Sequence, residues 1–115
     1  MCWLSHKCVK HIADKNMVVF KIIGHVGITR CFSLIKNFKY KYEQLYTLEK
    51  ELVVENIGTM YIIREGFHSY IEKNSFTDVY QWCVKCTIPK GSVYYYDESA
   101  GEIVSNQIIV HKPEL

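Results

Sequence analysis

The sequence predicts an α+β fold, a single small domain dominated by antiparallel β-sheet with one or two short helices. The chain has 115 residues, of which 49% are hydrophobic and 23% charged, as expected for one globular domain. Short β-branched and aromatic runs recur along it and are separated by turn residues, which indicates strands. One segment near Ser75 has the spacing of a short helix.

The first sixteen residues are polar and mixed, and we interpret them as an N-terminal arm preceding a domain over residues 17–115. Cys2, His6, Cys8 and His11 lie in this arm. Their side-chain types fit a tetrahedral zinc site, but their spacing matches no common zinc finger. We therefore assign no metal, and the sequence leaves open whether this cluster binds one.

The first strong strand is Met17–Ile23, and a second apolar run follows at Ile28–Ile35. In Phe38–Tyr42, aromatic residues alternate with lysines at the period of a strand. Tyr42, Leu45 and Tyr46 instead have helical spacing, so both alternatives stay open for this part of the chain.

The middle of the chain predicts two more strands and the helix. Leu52–Val54 is a short strand and Met60–Arg64 a longer one, which ends in a turn at Glu65–Gly66. Asn74 or Ser75 is a suitable N-cap. Phe76, Val79 and Tyr80 then fall on one face, which predicts about two helical turns.

The C-terminal block, Trp82–Val110, predicts three strands and two turns. In the first strand, Val84, Cys86 and Ile88 share one face and Lys85 lies on the other. A β-turn at Ile88–Gly91 leads to the strand Val93–Tyr96. The loop Asp97–Gly101 precedes the last strand, Glu102–Val110.

Cys83 and Cys86 form a C-x-x-C, a spacing that zinc sites and redox enzymes use. Residues three apart in a strand point to opposite faces, so the two sulfur atoms diverge. We therefore interpret Cys86 as a small core residue.

Charge and composition exclude several classes of function. The formal net charge is +2, too weak to favour nucleic-acid binding. Five cysteines without a signal peptide indicate a reducing compartment, and no apolar run is long enough to cross a membrane. We expect a cytoplasmic protein. The glycines match neither phosphate-binding motif, so no cofactor is predicted.

The segment Gly66–Tyr70, which we interpret as a loop after the strand Met60–Arg64, is the first candidate ligand site. His68 can act as a base or ligand donor, and Ser69 and Tyr70 add hydroxyl groups. Ser69 lacks the glycine-flanked elbow of a hydrolase, and no acidic partner is identifiable by spacing. We therefore assign these residues to ligand binding and name no catalytic residue.

The second candidate is the tyrosine run on the strand Val93–Tyr96. Tyr94 and Tyr96 share one face, and Val93 and Tyr95 share the other. One face belongs to the core. The other is a stacking surface for a base, a sugar or a partner chain, and we choose Tyr94 and Tyr96 as ligand-binding residues.

Three parts of the chain resemble small proteins of gut Bacteroidales-type bacteria and of their phages and mobile elements. These parts are Ile12–Ile23, Arg64–Tyr70, and Cys86–Tyr96 with Ser105–Val110. The resemblance implies an accessory role in a phage or mobile element and implies no chemistry.

The order of Gly66–Tyr70, Ser75–Trp82 and Trp82–Gly91 is similar to that of the ADP-ribosyltransferase-like fold. The Arg-Ser-Glu set and the catalytic glutamate motif of that fold have no counterpart in this chain. The similarity therefore implies a degenerate active site.

Two functional hypotheses follow. The favoured one is a non-catalytic binding module that modulates a host system through an aromatic surface, with a protein partner. The alternative is a degenerate or active enzyme on a small nucleotide-like ligand of the NAD type, with His68, Ser69 and Tyr70 lining its pocket. An exposed strand is also compatible with a homodimer.

Overall fold

A computed structural model describes residues 2–4, 9–25, 31–33, 39–58, 60–63, 65–72, 81–98 and 101–112. These residues form thirteen strands in two antiparallel sheets. The strands, in chain order, are β1 (Cys2–Leu4), β2 (Val9–Ile12), β3 (Met17–His25), β4 (Cys31–Ser33), β5 (Lys39–Tyr40), β6 (Leu45–Thr47), β7 (Val54–Ile57), β8 (Met60–Ile63), β9 (Phe67–Tyr70), β10 (Gln81–Ile88), β11 (Val93–Asp97), β12 (Glu102–Ser105) and β13 (Gln107–Val110).

The prediction of an α+β fold is wrong, because the described residues are all-β and contain no helix. Three segments that we interpreted otherwise are strands. The N-terminal arm contains β1, which pairs with β8, and β2, which pairs with β11. The segment after Gly66 is β9, which pairs with β12. The helix predicted after Ser75 lies outside the described residues.

The large sheet has the order β2-β11-β12-β9-β3-β10-β13-β6, and β4 and β5 extend it from β3. Only Asn106 separates β12 from β13. β12 and β13 are therefore two halves of one bent strand. Because the hydrogen-bonded path β12-β9-β3-β10-β13 starts on one half and ends on the other, the sheet wraps around its own inner face. On this path β3 pairs with β9 at one position, Phe20 with Tyr70.

Two short connections between strands lie side by side in this sheet. Pro89–Ser92 separates β10 from β11, and Ala13–Asn16 separates β2 from β3. The two connections bind each other, since the Ala13 amide donates to the Ser92 carbonyl and the Gly91 amide donates to the Ala13 carbonyl, both at 2.8 Å. The turn predicted around Pro89 and Gly91 is confirmed.

The main core lies on the inner face of the wrapped sheet. In β10, Val84, Cys86 and Ile88 are buried and Lys85 is exposed, which confirms the predicted faces of this strand. The other buried members are Ala13, Val19, Phe67, Ile103, Ile108 and Val110. Burial of each such Val or Ile side chain stabilises the folded state by roughly 1.5–3 kcal/mol relative to leaving it exposed.

A second, smaller core lies on the outer face. The three-stranded sheet β1-β8-β7 covers β12 there, with Ile63 packed against Val104. Tyr95 of β11 and Val54 of β7 pack around this pair. Since Ile103 points inward and Val104 outward, β12 contributes to both cores.

None of the described residues forms a helix of the length and hydrophobicity that crossing a membrane requires.

Candidate functional site

Tyr94 and Tyr96 lie on the inner face of β11, where the sheet reaches the edge strand β2. Tyr94 is paired across the strands with His11, and Tyr96 with Val9, so the four side chains share one face. We call Val9, His11, Tyr94 and Tyr96 the aromatic face. Both tyrosines pack against the main core and are partly exposed, and Tyr95 packs against the smaller core, so both faces of β11 have core contacts.

The His11 ring stacks on the Tyr94 ring, with centroids 5.0 Å apart and an interplanar angle of 16°. Burial raises the pKa of Tyr94, and the charge of Asp14 raises it further. Both effects favour the neutral hydroxyl of Tyr94, which can donate a hydrogen bond. Beside this stack, Val9 is 47% exposed, which adds apolar surface to the aromatic face.

The candidate residues His68, Ser69 and Tyr70 do not converge. They are consecutive in β9, and alternation along a strand sends them to two faces. Ser69 is fully buried on the inner face. His68 and Tyr70 lie on the outer face, with their rings edge to face at 4.9 Å.

His68 lies beside Glu102 of β12, with 3.6 Å between Nε2 and Oε2. This distance is too long for a hydrogen bond, and Nε2 has no hydrogen-bond partner in the described part of the chain. Burial, together with the charge of Lys21, lowers the pKa of His68 to about 4. We therefore treat the pair as a neutral imidazole beside a carboxyl group rather than as an ion pair.

Glu102 and Lys21 complete the polar surroundings of His68. Burial raises the pKa of Glu102, and the charge of Asp97 raises it further. Lys21 is 5% exposed, and its Nζ donates to the backbone carbonyl of His68. An imidazole with a pKa of about 4 is a weak base at neutral pH, so this cluster favours a structural role for His68.

A second polar cluster, which no sequence pattern indicated, joins Thr87 of β10 to His111, directly after β13, and to Glu43, in the turn before β6. Glu43 Oε2 lies 2.7 Å from His111 Nδ1, and His111 Nε2 lies 2.6 Å from Thr87 Oγ1. Glu43 lies 68 positions before His111 in the chain, and Thr87 lies 24 positions before it. The single local signal in the sequence is that His111 directly follows a strand, and this signal does not indicate that Glu43 and Thr87 are its partners.

The cysteines hold no paired site among the residues whose side chains are described. Cys83 is half-buried and Cys86 fully buried, and both are free thiols. His6 and Cys8 of the N-terminal cluster lie outside the described residues. Within the described ranges, no group of three or more His, Cys, Asp and Glu side chains has an arrangement suited to a metal ion.

No protein-family model, no curated protein and no solved structure matches this chain.

Proposed function

We propose that this protein is a binding module whose aromatic face holds an extended segment of a partner protein. The observation that carries the proposal is the partly exposed His11–Tyr94 stack, which joins the edge strand β2 to its neighbour β11. Stacked, partly fixed rings present contact area with little conformational entropy left to lose on binding.

The strand beside the stack has the properties of a docking edge. β2 ends the order of the large sheet, and among the described residues no strand pairs with its outer edge. Val9, Lys10 and Ile12 are exposed along it, with Ile12 at 68%. An extended segment binds such an edge through main-chain hydrogen bonds, and side-chain contacts provide the selectivity.

The geometry favours a protein partner over the nucleotide-like ligand of the alternative hypothesis. That hypothesis requires His68, Ser69 and Tyr70 to line one pocket, whereas β9 sends Ser69 inward and the other two outward. Aromatic rings with adjacent apolar surface are typical of the centres of protein interfaces. Modulation of a host system by a phage or mobile element stays a prediction about the wider role.

A peptide-display selection tests the proposal. The purified protein is immobilised, a random extended-peptide library is selected on it, and the affinities of the selected peptides are measured by calorimetry. We expect His11→Ser and Val9→Ser each to weaken binding by about tenfold, because interface residues of this kind contribute roughly 1–2 kcal/mol. Neither side chain belongs to the buried core, so both variants should fold.

Val53→Ser is the matched control, because Val53 is 62% exposed but does not belong to the aromatic face. Peptides whose affinity falls with Val53→Ser, or is unchanged by both variants on the aromatic face, would contradict the proposal. The mass of the free protein in solution is measured alongside. A dimer that Val9→Ser dissociates would show that a second copy occupies the edge instead.

A further inference from the structure

A hydroxyl group, an imidazole and a carboxylate form one hydrogen-bonded series on the outside of the large sheet. Thr87 Oγ1 lies 2.6 Å from His111 Nε2, and His111 Nδ1 lies 2.7 Å from Glu43 Oε2. None of the three residues belongs to β2 or β11, so this series is separate from the aromatic face.

Main-chain hydrogen bonds fix His111 and Glu43, and Thr87 is held by strand pairing, opposite Ile109 of β13. The His111 amide donates to the Lys85 carbonyl at 3.0 Å, which holds His111 beside β10. The Glu43 amide donates to the Val110 carbonyl at 2.8 Å. Glu43 also has a φ of 60°, a left-handed conformation that is uncommon outside glycine and is often found at functional sites.

Both oxygens of the Glu43 carboxylate are engaged. Oε2 faces His111, and Oε1 accepts a hydrogen bond from the Lys112 amide at 2.9 Å. The hydrogen bond from His111 and the one from Lys112 lower the pKa of Glu43. An ionised carboxylate accepts a hydrogen bond from Nδ1–H of His111, which leaves the Nε2 lone pair to accept one from the Thr87 hydroxyl.

The side chains of the series are partly exposed. The His111 side chain is 29% exposed and the Glu43 side chain 58%, and Thr87 is partly exposed. A nucleophile within hydrogen-bond reach of a base, which a third group orients, is the arrangement of covalent acyl-transfer sites. A structural clasp, in which the three residues only hold neighbouring segments together, would need only the hydrogen bonds. An acyl-transfer site also needs exposed side chains.

We infer that Thr87 is a nucleophile that accepts an acyl group from activated esters, with His111 as its general base and Glu43 as a positioning residue. Thr87 Oγ1 forms a bond to the ester carbonyl carbon, and its proton passes to His111 Nε2. The carbon–oxygen bond of the ester breaks, and His111 protonates the departing alkoxide or phenoxide. Water then attacks the acyl-threonine by the same proton path and regenerates the hydroxyl.

The experiment uses p-nitrophenyl acetate and the intact protein. We expect one acetyl group to accumulate on Thr87, as located by peptide mass spectrometry, with release of p-nitrophenolate. Thr87→Val should abolish this acetylation, and His111→Gln should slow it about a hundredfold, as expected for loss of a general base. Thr47→Val, which removes an exposed hydroxyl on β6, is the matched control and should change nothing.

Two further variants separate chemistry from folding. Thr87→Ser keeps a hydroxyl in place and should retain acetylation, whatever Thr87→Val does to stability. Glu43→Gln should slow acetylation and move the His111 ring proton from Nδ1 to Nε2, because an amide can donate to Nδ1; ¹⁵N NMR detects this change of tautomer. Acetyl groups confined to lysine amines, or an acetylation rate that His111→Gln leaves unchanged, would overturn the inference and leave a structural clasp.

Discussion

At the scale of single residues, the fold keeps the His68 imidazole neutral. The ring is mostly buried, and the ammonium group of Lys21 repels an additional positive charge, so the pKa of His68 falls to about 4. In the unfolded chain the same group has its ordinary value of 6.5. The folded state therefore binds a proton less readily than the unfolded state between these two values.

This difference predicts that the free energy of unfolding decreases as the pH is lowered from about 6.5 to about 4. Above the pKa of the unfolded state, the His68 imidazole is neutral in both states, and its full contribution to the free energy of unfolding is present. As the pH falls toward 4, the unfolded state takes up the proton first, and the free energy of unfolding decreases by about 2 kcal/mol between pH 7 and pH 4.5. Urea denaturation at several pH values measures this decrease.

His68→Gln should remove most of that pH dependence, whatever its effect on absolute stability. His11→Gln, which removes an imidazole from the aromatic face, should retain it. An equal decrease in wild type and in His68→Gln would mean that another group causes the acid sensitivity.

The candidate residues show what a sequence can and cannot predict at this scale. His68 and Tyr70 do lie together, but Ser69 faces the core, because the segment is a strand whose side chains alternate between two faces. We interpreted this segment as a loop, which gives no such alternation. Glu43, His111 and Thr87 meet only because β13 pairs with both β6 and β10. Side chains that long-range pairing brings together leave no local pattern to recognise.

At the scale of elements, Asn106 joins β12 to β13 and changes which residues face inward. Ile103 and Ser105 are buried before it, and Ile108 and Val110 after it, so the inward positions shift by one residue. Three hydrogen bonds hold this bend. The Asn106 amide donates to Val93 O at 3.0 Å, Val93 N donates to Asn106 Oδ1 at 2.9 Å, and Leu48 N donates to Asn106 O at 2.8 Å.

Asn106→Ala should therefore destabilise the protein by about 1–2 kcal/mol, because the half-buried Val93 amide loses its acceptor. Chemical denaturation measures the change, and amide exchange at Val93 should accelerate. Asn106→Asp keeps an oxygen at the same position and should recover much of the loss. If Ala and Asp destabilise equally, the side-chain hydrogen bond does not stabilise the bend.

Strands with a run of β-branched and aromatic residues were predicted, whereas β2 and β9 were missed. The predicted strands at Met17–Ile23 and Val93–Tyr96 correspond to β3 and β11. β2 is exposed almost throughout, so it has no buried face to give a pattern. β9 was hidden by Gly66, which we interpreted as a turn residue. A Cβ at that position would lie 2.5 Å from Val104 Cγ1, so the glycine also permits close packing against β12.

At the scale of the whole molecule, β12 links two cores that lie on opposite faces of one sheet. Ile103 belongs to the inner core, and Val104 belongs to the outer core under β7 and β8. Alternating apolar residues usually indicate one buried face and one exposed face. A strand buried on both faces has a continuous apolar run instead, and Ile103-Val104 alone is too short a run to reveal the second layer.

Because the two cores share a strand, we expect them to unfold together. Ile63→Ala removes a fully buried side chain from the outer core and should lower the free energy of unfolding by about 2–5 kcal/mol. Val53→Ala, at a 62% exposed position, should change it by less than about 0.5 kcal/mol. Amide exchange then distinguishes the two models: in a cooperative molecule, Ile63→Ala reduces protection in β10 as much as in β8. Protection that falls in β8 alone would instead mean that the small sheet opens independently, and that burial on both faces of β12 does not couple the two layers.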